Sequence, residues 1–170
     1  MIAIRPEKPE DLPLIYSVIE HSFKRTVEAT LVDKLRQACN DCLSMVAEEN
    51  GTIVGHIMFT PLLVKNGKEA QGMGLAPMAV LPARQRQGIG TLLVESGLQI
   101  LREKGCPFVI VLGHPEYYPR FGFQPASGFN IRSQWKGVPD EAFMVLFLDN
   151  SALGNMSGVT TFREEFNETL

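Results

Sequence analysis

Two arginines and two glycines stand together in Leu81-Pro82-Ala83-Arg84-Gln85-Arg86-Gln87-Gly88-Ile89-Gly90, directly ahead of an apolar helical pattern. A helix N-terminus carries backbone N–H groups without intrahelical partners at the positive end of the helix dipole, a setting that suits an anion. Gly88 and Gly90 remove side chains that would hold a phosphate away from those donors, and Arg84 and Arg86 add positive charge beside the loop. The loop is not a nucleotide P-loop, because G-x-x-x-x-G-K-[ST] is absent and no lysine follows the glycines. G-x-G-x-x-G fails too, since Leu93 stands at its third glycine position. A glycine-assisted tight turn into a helix is the plainer reading of the same residues.

The elements around this loop are legible from periodicity. Ile2 to Arg5 reads as a short edge strand, and Leu12, Ile15, Ile19 and Phe23 form one helical stripe. Glu10 and Asp11 suit the N-terminal end of that helix. A second helix is expected over Thr30–Ala38. Strands at Leu43–Glu48 and Thr52–Thr60 are joined by Asn50-Gly51, a hairpin signal because both residues tolerate positive φ. Pro61–Val64 extends the second strand, and a third runs from Glu69 to Leu81 after another Asn-Gly turn, completing an antiparallel meander. The helix after the loop places Ile89, Leu92, Leu93, Gly97, Ile100 and Leu101 on one face and stops at Lys104-Gly105. Phe108–Leu112 is continuously apolar, as in a strand buried on both faces. A Pro-, Tyr- and Gly-rich loop follows from Gly113 to Gly128, then strands at Ala142–Leu148 and Val159–Phe162.

Composition narrows the class. The 170 residues are 45% hydrophobic and 21% charged, ordinary for one globular domain, and no linker or repeat divides them. A net charge of -3 with dispersed basic residues argues against nucleic acid and anionic membrane as partners. No apolar run approaches the ~20 residues of a membrane helix, and no signal-peptide pattern opens the chain, so a cytoplasmic protein is expected. Cys39-Asn40-Asp41-Cys42 is formally C-x-x-C but has no second ligand pair, so no metal is expected and the three cysteines read as thiols in a reducing compartment.

In this context Gln85-Arg86-Gln87-Gly88-Ile89-Gly90 fits Q/R-x-x-G-x-G/A and resembles the Gcn5-related N-acetyltransferase (GNAT) superfamily. A second matching block is Tyr117-Tyr118-Pro119-Arg120-Phe121-Gly122-Phe123, and the phrase from Gly113 onward is similar to the bacterial YhbS-like branch. The resemblance implies an α/β fold: a mixed, mostly antiparallel central sheet with helices on both faces and a splayed parallel strand pair. It implies one N-acetyltransferase domain over 1–170, with acetyl-CoA as co-substrate and no metal. The pyrophosphate would lie on Arg86, Gln87, Gly88, Ile89, Gly90 and Thr91. The backbone of Met78, Ala79 and Val80 would meet the pantetheine arm, because Pro77 cannot donate to a ladder and the strand is expected to part there.

The implied reaction is direct attack of a primary amine on the thioester, through a tetrahedral intermediate, with CoA thiolate leaving. Tyr118 sits at the family's tyrosine position, and a phenol with pKa of about 10 stays protonated at neutral pH and can donate to the thiolate. Packing beside Phe121 and Phe123 is the plainer role for the same ring. Glu28, His56, His114 and Glu116 are candidates for a general base, and proton loss through water would need none of them, so no residue takes that role. The acceptor, a small molecule or a protein amine, has no code in the sequence. A catalytically silent acyl-CoA-binding regulatory module is the alternative reading. The tail from Gly154 to Leu170 is a candidate homodimer interface.

Overall fold

The computed structural model describes residues 1–152 and 156–169. The chain forms two compact units, Met1–Thr60 with Ala76–Ile100 and Glu164–Leu170, and Pro61–Leu75 with Leu101–Arg163.

In the first unit, β1 (Ile2–Pro6), β2 (Leu43–Glu49) and the first part of β3 (Thr52–Asn66) form an antiparallel ladder. Asn50 (φ 50°) and Gly51 (φ 81°) turn the β2–β3 hairpin in the left-handed region, as the Asn-Gly pair predicts. Helices α1 (Leu12–Phe23) and α2 (Val27–Ala38) pack together, and α2 begins three residues before the expected Thr30. Ile15, Val18 and Ile19 carry the buried side of α1, whereas Phe23 is exposed because the chain turns left-handed at Lys24. Asp11 is drawn away from the helix end; it is buried, with Arg5 and the Lys8 N–H donating to it.

After β4 (Lys68–Val80) and the glycine loop comes α3 (Ile89–Glu103). Its buried side is Ile89, Leu93, Val94, Leu98 and Leu101, while Leu92, expected on that face, is exposed. Close approach sets this rotation. A Cβ at Gly97 would stand 2.4 Å from the Phe59 ring, and one at Gly55 would stand 3.1 Å from Leu93 Cδ1. Alternate residues of a strand face opposite sides of a sheet, so α3 covers the side of β3 that carries Gly55 and Phe59.

His56 faces the other side, in a polar network with Ser44 of β2, Glu7 just after β1, and α2. Its Nε2 lies 2.8 Å from Ser44 Oγ, which in turn donates to Glu7 Oε1, and Arg36 donates to Glu7 at 2.5 Å and to Asp33 at 2.8 Å. With the Ser44 proton directed to Glu7, Nε2 carries the imidazole proton, and Nδ1 is buried without a partner among the described residues. Burial lowers the His56 pKa below its ordinary value, so the ring is neutral. Burial acts to raise the Glu7 pKa, but hydrogen bonds from His56, Arg36 and Ser44 outweigh it and bring it to about 2.

Both shifts are downward, so both groups contribute stability that acid removes. The His56 contribution is complete above 6.5 and falls away below it, while that of Glu7 is lost between 4.5 and about 2. Urea unfolding should therefore show stability declining on acidification from pH 7 to 5 and again below 4.5. Glu7→Gln should cost about 2 kcal/mol at pH 7, because it removes the more buried of the two carboxylates that Arg36 meets and leaves only Asp33. A stability that rises between pH 7 and 5 would contradict a neutral His56.

The second unit holds β5 (Phe108–Leu112), β6 (Gln124–Pro125), β7 (Ile131–Arg132), β8 (Phe143–Phe147) and β9 (Gly158–Thr161). The start of β4 runs parallel to β5 from Met73↔Val109 to Leu75↔Val111. That ladder stops just before the cis Ala76–Pro77 peptide, where Pro77 has no N–H to extend it. β8 pairs antiparallel with β5 and with β6, β9 pairs antiparallel with the end of β3, and β7 runs parallel to β9. The expected loop at 113–128 contains a single-turn helix at Tyr118–Phe121 and the two-residue β6, both too short for periodicity to detect.

Of the proposed dimer tail, Gly154 and Leu170 lie outside the described residues. Phe166 is buried, and Glu168 pairs with Lys34 of α2. No helix among the described residues is long and apolar enough to cross a membrane.

Candidate functional site

The glycine loop is built as an open cradle. Gly88 adopts φ 85°, and a Cβ there would meet nothing within 4 Å. The first helical bond of α3 closes from the Leu92 N–H to the Gly88 carbonyl at 3.1 Å. The N–H groups of Gly88, Ile89 and Gly90 therefore precede the intrahelical series. Ile89 is fully buried, with its Cγ2 3.2 Å from the Cβ position of Gly55, and it fixes the helix start against β3. Gly88 is exposed, and Gly90 and Thr91 are half-buried.

The two arginines divide. Arg84 forms a bidentate pair with Glu49 of β2 and also donates to Gln87 Oε1 at 3.1 Å. Its charge is neutralised within the protein, which corrects the expectation that it serves an anion. Arg86 is exposed, adopts φ 63°, and makes no ion pair among the described residues. A non-glycine residue in that region is uncommon and concentrates at functional loops. The Gln87 side chain folds back, donating to the Ala83 carbonyl at 3.3 Å, so the loop presents its backbone.

The end of β4 belongs to the same unit. Ala79 is buried with its carbonyl toward Gly55, whereas Met78 and Val80 are half-buried. Gln85 donates its side-chain amide to the Val80 carbonyl at 3.0 Å and so ties the loop to the strand. Neither this tie nor Glu49 has a local sequence signal.

Tyr118 lies in the second unit and is 6% exposed. Its backbone N–H and that of Tyr117 both donate to the His114 carbonyl, at 3.4 and 3.1 Å. Its ring meets Tyr117 edge-on at 5.1 Å and Phe123 at 5.7 Å. Burial, with a smaller contribution from Tyr117, raises the phenol above its ordinary pKa and keeps it protonated.

The candidate bases are dispersed. Glu28 is buried in the first turn of α2, with Arg25 donating to both its oxygens at 2.7 and 2.9 Å. His56 is enclosed in its network, and His114 and Glu116 are exposed on the turn before Tyr118.

Comparison with known proteins fits this arrangement. The family described as acetyltransferase (GNAT) domain matches residues 3–126. The N-acetyltransferase YhbS of Escherichia coli K12 is 38% identical over 165 residues, covering 96% of this chain and 98% of YhbS. A crystal structure of E. coli YhbS in complex with CoA superposes with TM-score 0.91 at 37% identity, covering 98% of this chain and 92% of that one. A GNAT family acetyltransferase from Brucella melitensis in complex with acetyl-CoA gives TM-score 0.79 at 35% identity, covering 98% of both chains. With a mixed sheet, a parallel β4–β5 pair and an open glycine loop at the head of α3, the chain belongs to the GNAT family of acetyltransferases.

Proposed function

We propose that the protein is one N-acetyltransferase domain over residues 1–170 that transfers the acetyl group of acetyl-CoA to a primary amine in the cytoplasm. The observation that carries this reading is the Gly88 cradle, with open space over first-turn amides and Arg86 beside it. These residues fit a pyrophosphate: several backbone donors, one uncommitted cation and no side chain in the way. When bound, acetyl-CoA supplies an activated acyl group and a thiolate leaving group. Arg86 and the amides of Gly88, Ile89, Gly90 and Thr91 hold the phosphates. The backbone of Met78, Ala79 and Val80 holds the arm, and an N–H there can polarise the thioester carbonyl. The Tyr118 hydroxyl donates to the departing sulfur.

The two CoA-bound relatives support the cofactor assignment, and the family supports the reaction class. The test is acetyl-CoA calorimetry followed by CoA release across a panel of small amines and peptide N-termini. Turnover on at least one amine is expected. Tight binding without turnover on any amine would favour the silent binding module.

The arginines make a sharper comparison. Arg86→Ala should weaken acetyl-CoA about 10-fold, the loss of one exposed charge-assisted contact. Arg84→Ala should leave affinity within about twofold and cost no more than about 1 kcal/mol of stability, the range for a half-exposed pair. Equal losses of affinity from the two would overturn the division seen in the structure.

A further inference from the structure

Tyr118 lies against a glycine with an unexplained requirement. Gly113 directly follows β5, and its N–H donates to the Ala142 carbonyl at 2.9 Å. Its φ lies outside the left-handed region, so the backbone itself would accept alanine. Space would not: a Cβ at Gly113 would stand 2.4 Å from Tyr118 Cε2, 2.9 Å from Cδ2 and 3.4 Å from Cζ. Ordinary carbon contacts lie near 3.5–4.0 Å, so the ring must move by about an ångström to admit a methyl group.

The ring has little room to move. Tyr117 and Phe123 meet it nearly perpendicular, at 89° and 75°, and the Phe121 ring lies 6.4 Å away. Arg120 in turn holds Tyr117, with its guanidinium 4.3 Å from the ring centroid and its Nε donating to the Tyr117 carbonyl at 2.8 Å. Gly113 is the floor of a slot whose walls are aromatic. A phenol turns about two bonds, so displacement at Cε2 and Cζ is passed directly to the hydroxyl.

We infer that Gly113 is a positioning residue for acetyl transfer: its missing side chain sets where the Tyr118 hydroxyl sits. This rests on the assignment of Tyr118 as donor to the leaving sulfur. Misplacing a reacting group by an ångström costs about 10- to 100-fold in rate, without requiring any loss of cofactor affinity.

The test is a double-mutant cycle on kcat, with acetyl-CoA affinity and Tyr118 ring resonances as further readouts. Gly113→Ala is expected to lower kcat at least about 10-fold, leave acetyl-CoA affinity within about twofold, and shift the ring signals of 13C-labelled Tyr118. In the Tyr118→Phe background the same change should alter kcat less than about twofold, because no hydroxyl remains to misplace. An equal loss in both backgrounds, or unshifted ring signals, would overturn the proposal. Full activity of Tyr118→Phe would instead remove the donor assignment, and the ring signals would still decide whether Gly113 sets the ring. If Gly113→Ala does not fold, Gly113→Ala with Tyr118→Leu serves. It should fold and melt with Tyr118→Leu alone, and a failure to do so would place the clash elsewhere and sink the proposal.

Discussion

Gly88→Val is expected to weaken acetyl-CoA binding about 100-fold while the protein stays folded. Hydrogen bonds to charged groups contribute about 1.5–3 kcal/mol each, so losing two at the lower end gives that factor. The branched side chain would occupy the space that is open at Gly88, the residue whose carbonyl takes the first helical bond of α3 and whose neighbours carry the amides proposed to hold the phosphates. It also carries a backbone penalty, since φ 85° is unfavourable for a β-branched residue by about 1–3 kcal/mol. Gly51→Val separates the two effects. Gly51 has φ 81° and open surroundings like Gly88, but it lies in the β2–β3 hairpin. Both variants should lose similar stability in thermal melts, and calorimetry should find the affinity loss only in Gly88→Val. Unchanged affinity in a folded Gly88→Val would remove the loop from the cofactor site.

The loop was legible because its information is local: two glycines, an arginine and the start of an apolar period lie within six residues. The Asn50-Gly51 hairpin and the Phe108–Leu112 strand were legible for the same reason. What could not be read depends on residues distant in sequence. Arg84 looks equivalent to Arg86 until Glu49, 35 positions earlier, is brought against it. The expected α3 face holds at Ile89, Leu93, Gly97 and Leu101 but not at Leu92, because Leu92, Leu93 and Val94 are consecutive apolar residues that fit two helical faces. The approach of Gly97 to Phe59 chooses between them. Glu28 falls ahead of the expected Thr30–Ala38 helix, whereas α2 begins at Val27 and holds it in its first turn. Tyr118 stands out by its motif, whereas Gly113 sits in a glycine-rich loop with no local signal, and its contact with the Tyr118 ring exists only in the folded chain. Sequence thus marks candidate groups, and tertiary packing separates those committed to internal pairs, such as Arg84, from those left exposed, such as Arg86.

Tyr118→Phe is expected to lower kcat about 10- to 100-fold with little change in acetyl-CoA affinity, the loss of one hydrogen bond to a developing charge. The direction of the Tyr118 shift refines how the hydroxyl acts. A thiol ionises near 8.5 and an unperturbed phenol near 10, and burial moves Tyr118 higher still. A departing thiolate is therefore the weaker base of the two and cannot take the phenol proton completely. In the proposed reaction Tyr118 would therefore stabilise the sulfur by donating a hydrogen bond as charge develops, and solvent would protonate the thiolate after release. A pH profile distinguishes this from full proton transfer by an acid tuned near neutrality. Because Tyr118 remains protonated below pH 10, the kcat profile of the native enzyme should show no descending limb from it across pH 6 to 9. Tyr118→Phe should lower the whole profile without changing its shape. A descending limb below pH 9 that vanishes in Tyr118→Phe would require a phenol far more acidic than its buried slot permits, and would overturn this account of the hydroxyl.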